Sequence, residues 1–169
     1  VIPFSMTTGS QFRKSGPPAL DSTAWTAALD QVRRLGGIDS TERTAEQTTI
    51  AQFWADGLTT ATPPGHWNRI ALSIAAARNL PFYERARLMA LVNIVEADAA
   101  IAAWDMKYQF YFWRPVTALA EVDPDWRPLI VTPPFPEYVS GHSTFSGAAA
   151  EMLSLFFKRD ALPFDATTD

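Results

Sequence analysis

The sequence predicts an all-α protein, a helical bundle, on three observations. Apolar residues recur at helical spacing along most of the chain, capping residues or Gly and Pro punctuate these runs, and strand composition is confined to Leu129-Ile-Val-Thr132, which prolines bound. The 169 residues are 47% hydrophobic, enough for one domain to bury a core.

Residues 1–19, with Pro3, Gly9, Gly16, Pro17 and Pro18, read as an extended segment that needs a partner surface to be ordered. Asp21 or Ser22 starts a helix ending at Gly36-Gly37, with Trp25, Leu29, Val32 and Leu35 on its inner face. Thr44 and Gln47 have capping-box spacing and open a second helix to Asp56. A third runs from His66 to Asn79, closed by Pro81, with His66 itself read as a solvated or hydrogen-bonded loop histidine of the Pro-Pro-Gly turn. Phe82 to about Phe112 is the longest periodic segment, with Leu88, Leu91, Val92, Val95, Ala99, Ala102 and Ala103 inward. Pro115 can occupy the first position of a short turn to Glu121. Ser140 to Lys158 forms the last helix, and Ala161 to Asp169 has loop composition.

Two segments carry chemistry: Lys107-Tyr-Gln-Phe-Tyr-Phe-Trp-Arg114-Pro115, and Pro134-Phe-Pro-Glu-Tyr-Val-Ser140-Gly141-His142-Ser143. Seven residues on a helix are two turns with about 20° of drift, so Lys107 and Arg114 are expected on one stripe roughly 10 Å apart, with room for a phosphate-sized anion between their heads. Pro115 disfavours helical geometry at Arg114, which leaves that guanidinium at a helix end where its fork can grip two oxygens. In the second segment Ser140 is a helix N-cap, Gly141 lets an anion approach exposed backbone NH groups, and His142 can exchange a proton near neutral pH. Taken alone, a Lys and an Arg seven apart are ordinarily a solvated face, and Ser-Gly-His-Ser is ordinarily a cap. Their occurrence together, in this order, describes a pocket for a tetrahedral oxyanion.

The two segments resemble the first two of three motifs shared by the vanadium-dependent haloperoxidases and the type 2 phosphatidic acid phosphatases. The flanking residues, Asp98 through Trp104 to Lys107, Phe112-Trp113 and Pro133-Pro-Phe135-Pro, are more similar to the haloperoxidase branch. The resemblance implies a haloperoxidase or acid phosphatase type of bundle, incomplete here, with vanadate as cofactor and hydrogen peroxide and halide as substrates. It implies Lys107 polarising a peroxide oxygen and Arg114 neutralising the oxyanion. Ser140 and the Gly141 NH would donate to the anion, His142 would act as acid and base, and Trp104 and Phe135 would wall the pocket. Asp56, in Phe53-Trp-Ala-Asp56-Gly57, would stand behind the site and pair with the arginine of the third motif; as a bare sequence it reads equally as a helix-terminal Asp-Gly turn.

Val139 replaces the proline that many relatives carry before Ser-Gly-His. The third motif has no counterpart: no histidine follows His142, so the family's covalent vanadate ligand is not in this chain. Residues 20–158 are therefore expected to be part of a larger domain, with 1–19 an extended segment, 159–169 a loop at a point of truncation or cleavage, and a second polypeptide segment or subunit completing the bundle. Acid phosphatase activity at a site that phosphate or sulfate can also occupy, and an inactive helical remnant serving as an interaction module, are the alternatives.

Other classes find little support. Net charge is −4 without a basic run, which argues against nucleic acid. The apolar runs Ala71 to Ala77 and Leu88 to Ile101 are interrupted by polar groups, which argues against a bilayer span. Glu96 and Asp98, two apart on a helix, do not face each other as a paired-carboxylate site would require. There is no cysteine, which fits any redox compartment, and exported relatives point to a periplasmic or secreted location.

Overall fold

The computed structural model describes residues 1–168, which form six helices and no strand. They are α1 (Thr23–Gly36), α2 (Ala45–Phe53), α3 (Thr62–Ala77), α4 (Phe82–Phe110), α5 (Pro115–Leu119) and α6 (Gly141–Phe157). The all-α bundle expected from sequence is the observed class, and Leu129–Thr132 is irregular apart from an isolated bridge between Gly37 and neighbouring Pro128. Ala161–Thr168 also lacks regular structure, and Asp169, the last residue of that expected loop, lies outside the described residues.

The caps sit where the residue types place them. Ser22 accepts from the Trp25 NH, and Thr44 and Gln47 form the reciprocal capping box. Ser140 caps α6 through the Ser143 NH, and Lys158 ends that helix in the left-handed conformation. One start differs from expectation. Helix α3 begins at Thr62, so Pro63 and Pro64 lie in its first turn, where a missing NH costs no intrahelical bond, and His66 is a helical residue.

The chain divides into two compact units. The first comprises residues 1–13, 56–105 and 140–169; the second comprises 14–55 and 106–139. Helix α4 contributes to both, through Asp105 to the first and from Met106 to the second.

In the first unit α3 and α6 pack together. The Trp67 indole NH donates to the Ser146 hydroxyl at 3.0 Å, and the Arg78 guanidinium lies 5.0 Å from the centre of the Phe157 ring. Both pairs have the same sequence offset, so the helices run parallel and in register, and their N-termini share one end. Helix α4 runs the other way: Asn93 exchanges amide hydrogen bonds with Asn68, and Arg87 stacks over Phe156. Ile70, Ala71, Ile74, Leu88, Val92, Phe145, Ala149 and Leu153 fill the space between them. The N-terminal segment finds its partner surface here. Asp98 of α4 accepts from the NH groups of Phe4, Ser5 and Met6 and from the Ser5 hydroxyl, and Arg13 makes a fork to Asp105.

The second unit is built on α1, α2, α5 and the long loops. Trp25 meets Phe112 edge to face, and the Trp126 indole NH donates to the Arg33 carbonyl at the end of α1. Gly37 is buried there, and a Cβ on it would lie 3.0 Å from the Trp126 indole nitrogen, so a side chain would require the indole to give by a few tenths of an ångström. The inward face of α1, with Trp25, Leu29, Val32 and Leu35, is half-buried, and neither α1 nor α2 holds a fully buried residue.

Candidate oxyanion-binding site

The two expected cations lie in the second unit. Lys107 is 1% exposed, on the last turns of α4. Helix α4 stops three residues later, and Tyr111 follows with φ 51°. Arg114 is thus not on the Lys107 stripe; it is the N-cap of α5, in the extended conformation that Pro115 imposes. The single stripe expected from seven-residue spacing is therefore absent, because the helix ends between the two residues, yet their side chains do come together. Their charged ends sit 5.0 and 4.7 Å from the centre of the Phe135 ring, an arrangement in which one aromatic ring supports two cations.

Both cations also hold the loop that carries Phe135. Lys107 Nζ donates to the carbonyls of Pro136 (2.8 Å) and Glu137 (3.0 Å), and Arg114 Nε donates to the Phe135 carbonyl (2.6 Å). Arg114 Nη1 pairs with the Glu137 carboxylate at 2.7 Å. Arg114 Nη2 is buried with no hydrogen-bond acceptor. A buried guanidinium NH without an acceptor is costly, and an oxyanion oxygen is the kind of group that satisfies it. Burial, reinforced by the Arg114 charge and opposed by Glu137, pushes the Lys107 ammonium down to about 8.

The helix start lies in the first unit. Ser140 precedes α6 with its oxygen accepting from the Ser143 NH, which leaves the hydroxyl hydrogen to donate elsewhere. Gly141 is the first helical residue, so its NH belongs to the set a helix cannot satisfy internally. His142 follows, exposed. The Trp104 ring lies 6.3 Å from that of Phe145, which places it against the early turns of α6. The peptide between Tyr138 and Val139, the residue in the proline position, is cis.

Asp56 is not the end of a helix, since α2 closes at Phe53. Its carboxylate contacts His66 Nδ1 at 3.0 and 3.3 Å, and the side chains are 5% and 2% exposed. Of the two readings offered for His66, solvated or hydrogen-bonded, the second holds, and the correction is one of place: it is buried on α3 and not in a loop. An ionised carboxylate only accepts, so Nδ1 carries the hydrogen that points at it.

Two further residues have surroundings that the sequence reading did not give them. Glu137, read only as part of the Pro-rich turn, is the partner of Arg114. Glu96 is 2% exposed on the core stripe of α4, with neither oxygen hydrogen-bonded, and burial pushes its carboxyl up to about 8. Its position four residues after Val92 was the available signal. Among the described residues no group of three or more His, Cys, Asp or Glu gathers as cation ligands, and no helix is long and apolar enough to cross a membrane.

Comparison with known proteins gives the chain's relatives. Residues 87–169 match the family model of the vanadium chloroperoxidase second helical-bundle domain. Vanadium chloroperoxidase of Curvularia inaequalis is 34% identical over 185 aligned positions, covering 89% of this chain. The crystal structure of a bacterial vanadium-dependent iodoperoxidase superimposes with a TM-score of 0.83 at 35% identity over 92% of this chain. The chain belongs to the vanadium haloperoxidase family. It spans 30% of the length of the Curvularia haloperoxidase and 40% of the solved iodoperoxidase chain. The all-α bundle is the fold class this haloperoxidase-family match supports.

Proposed function

We propose that the protein containing this chain is a vanadium-dependent haloperoxidase, in which Lys107, Arg114, Ser140, Gly141 and His142 hold one vanadate. The observation that carries the reading is the buried Arg114 Nη2 without an acceptor, beside a buried lysine on the same aromatic ring. Two desolvated cations with an unfilled donor are a poor structural device and a good oxyanion cradle. Vanadate, when bound, supplies a Lewis acid that activates hydrogen peroxide toward halide.

The chain's own residues have separate tasks. Arg114 would donate Nη2 to an oxygen of the anion. Lys107, charged at neutral pH yet titrating near 8, neutralises the anion and polarises the oxygen it faces. Ser140 and the Gly141 NH donate from the start of α6, and His142 moves the proton. Trp104 and Phe135 wall the pocket and exclude water. In this reading residues 20–158 are part of the catalytic domain, and the third motif, with its histidine, comes from a further polypeptide segment.

The deciding experiment uses the full-length protein with vanadate, hydrogen peroxide and each halide, following halogenation of a phenolic dye. Phosphate-ester hydrolysis is assayed in parallel without vanadate. Vanadate-dependent halogenation that phosphate inhibits supports the proposal. Hydrolysis that vanadate inhibits replaces it with an acid phosphatase, and inactivity in both assays with an interaction module.

A further inference from the structure

The mechanism above leaves one buried polar pair unused, Asp56 with His66, and the geometry of the first unit says where it stands. Because α3 and α6 are parallel and in register, Thr62 at the start of α3 is level with Gly141 at the start of α6. His66 is one turn further in, and the loop of residues 56–61 lies at the same end of the unit as Ser140. That loop is strained. Asp56, Thr59 and Thr62 have φ values of 41°, 74° and 60°, and left-handed geometry is least tolerated by β-branched residues such as threonine. Strain of this kind persists only where other contacts hold it, and the Asp56–His66 bond ties the beginning of the loop to the helix that follows it.

We propose that His66 is a positioning residue of the oxyanion site. Bound to Asp56, it locks the loop of residues 56–61 and the first turn of α3 beside the first turn of α6, and so fixes the backbone that presents the Ser140 hydroxyl and the Gly141 NH. His66 does not touch the anion; it acts through the helix start. This rests on the oxyanion reading given above.

The test uses vanadate itself as probe on the full-length protein, with affinity measured by titration calorimetry and bound vanadate observed by vanadium NMR. His66→Leu removes the donor to Asp56 and is expected to weaken binding about tenfold or more, in the range typical of lost supporting contacts, and to shift the bound resonance. His66→Asn, whose amide can reach the same carboxylate, should restore most of the affinity. Asn93→Ala serves as the control: it breaks the amide pair on the α4 side of α3 and lowers the melting temperature without reaching the α6 start. Unchanged affinity and resonance in His66→Leu, in a protein whose unsubstituted form binds vanadate, overturns the inference alone. Equal weakening in Asn93→Ala also overturns it, because general loosening would then suffice. If His66→Leu does not fold, Asp56→Ala, which removes the acceptor of the same bond, is measured in its place, and wild-type affinity and resonance in that variant is the overturning result. An unsubstituted protein that binds no vanadate defeats the oxyanion reading and this inference with it.

Discussion

Arg114 gives one terminal nitrogen to the carboxylate of Glu137 at 2.7 Å while the other is buried without an acceptor. Glu137 therefore acts as a resident anion at the edge of the candidate site, competing for the guanidinium while moderating the charge repulsion between Arg114 and Lys107.

This competition makes the effect of Glu137→Gln a matter of pH. Loss of the carboxylate should strengthen phosphate or vanadate binding several-fold at pH 6, by analogy with other charge-assisted contacts. It also removes the group that holds the Lys107 proton affinity up, so the pH at which binding fails should move lower. Calorimetric titration across pH 6–9 checks both signs.

Lys107 titrates near 8, below its ordinary value. As a base with a depressed folded pKa it is neutral in the folded state above that pH, so anion affinity should fall as pH rises through about 8. In Lys107→Ala the lysine-dependent limb should vanish, with activity reduced on the order of 10²-fold or more at neutral pH. A variant that keeps the limb would assign it to another group.

Glu96 has the opposite linkage. Its folded carboxyl, raised to about 8, binds a proton that the unfolded chain releases above its ordinary 4.5, so this residue's contribution declines as pH rises between those values. The slope from one such group is at most about 1.4 kcal/mol per pH unit. Glu96→Gln should leave stability unchanged below pH 4, raise it progressively up to pH 8, and add nothing further beyond. Denaturant melts at several pH values measure this.

Asp98 secures the N-terminal segment. Burial alone would raise its pKa, but the Ser5 hydroxyl and the NH groups of Phe4, Ser5 and Met6 outweigh that and hold it below the ordinary carboxylate value of 3.8. The stabilisation it lends is complete above that ordinary value and is lost as pH falls through the lower folded one. The protection of the Phe4 and Ser5 amides, taken relative to their intrinsic exchange rates at each pH, should fall at acid pH, and Asp98→Asn should lower it at pH 7.

What the sequence made legible depended on how local the cause was. Ser22, Thr44 with Gln47, and Ser140 act within one turn, and their caps lie where the residue types put them. The meeting of Lys107, Arg114 and Phe135 was anticipated, but for the wrong geometric reason, because periodicity does not reveal that Tyr111 breaks the helix between the two cations. The partners of Glu137 and His66 were not legible for a related reason. Their roles are set by partners 23 and 10 positions away, and no spacing rule relates an arginine to a carboxylate across a proline-rich turn.

The parallel alignment of α3 and α6 has a thermodynamic consequence. Two macrodipoles lying side by side with their positive poles together repel each other, and neither first turn contains an acidic residue to offset this. A multivalent anion at that end relieves the repulsion in the native state and has no such partner in the unfolded chain. Ligand occupancy should thus be readable as heat resistance: at a hundred times its dissociation constant an anion adds about 2.7 kcal/mol to stability. A melting curve becomes a binding assay, able to rank vanadate, phosphate and sulfate before any catalytic activity is measured.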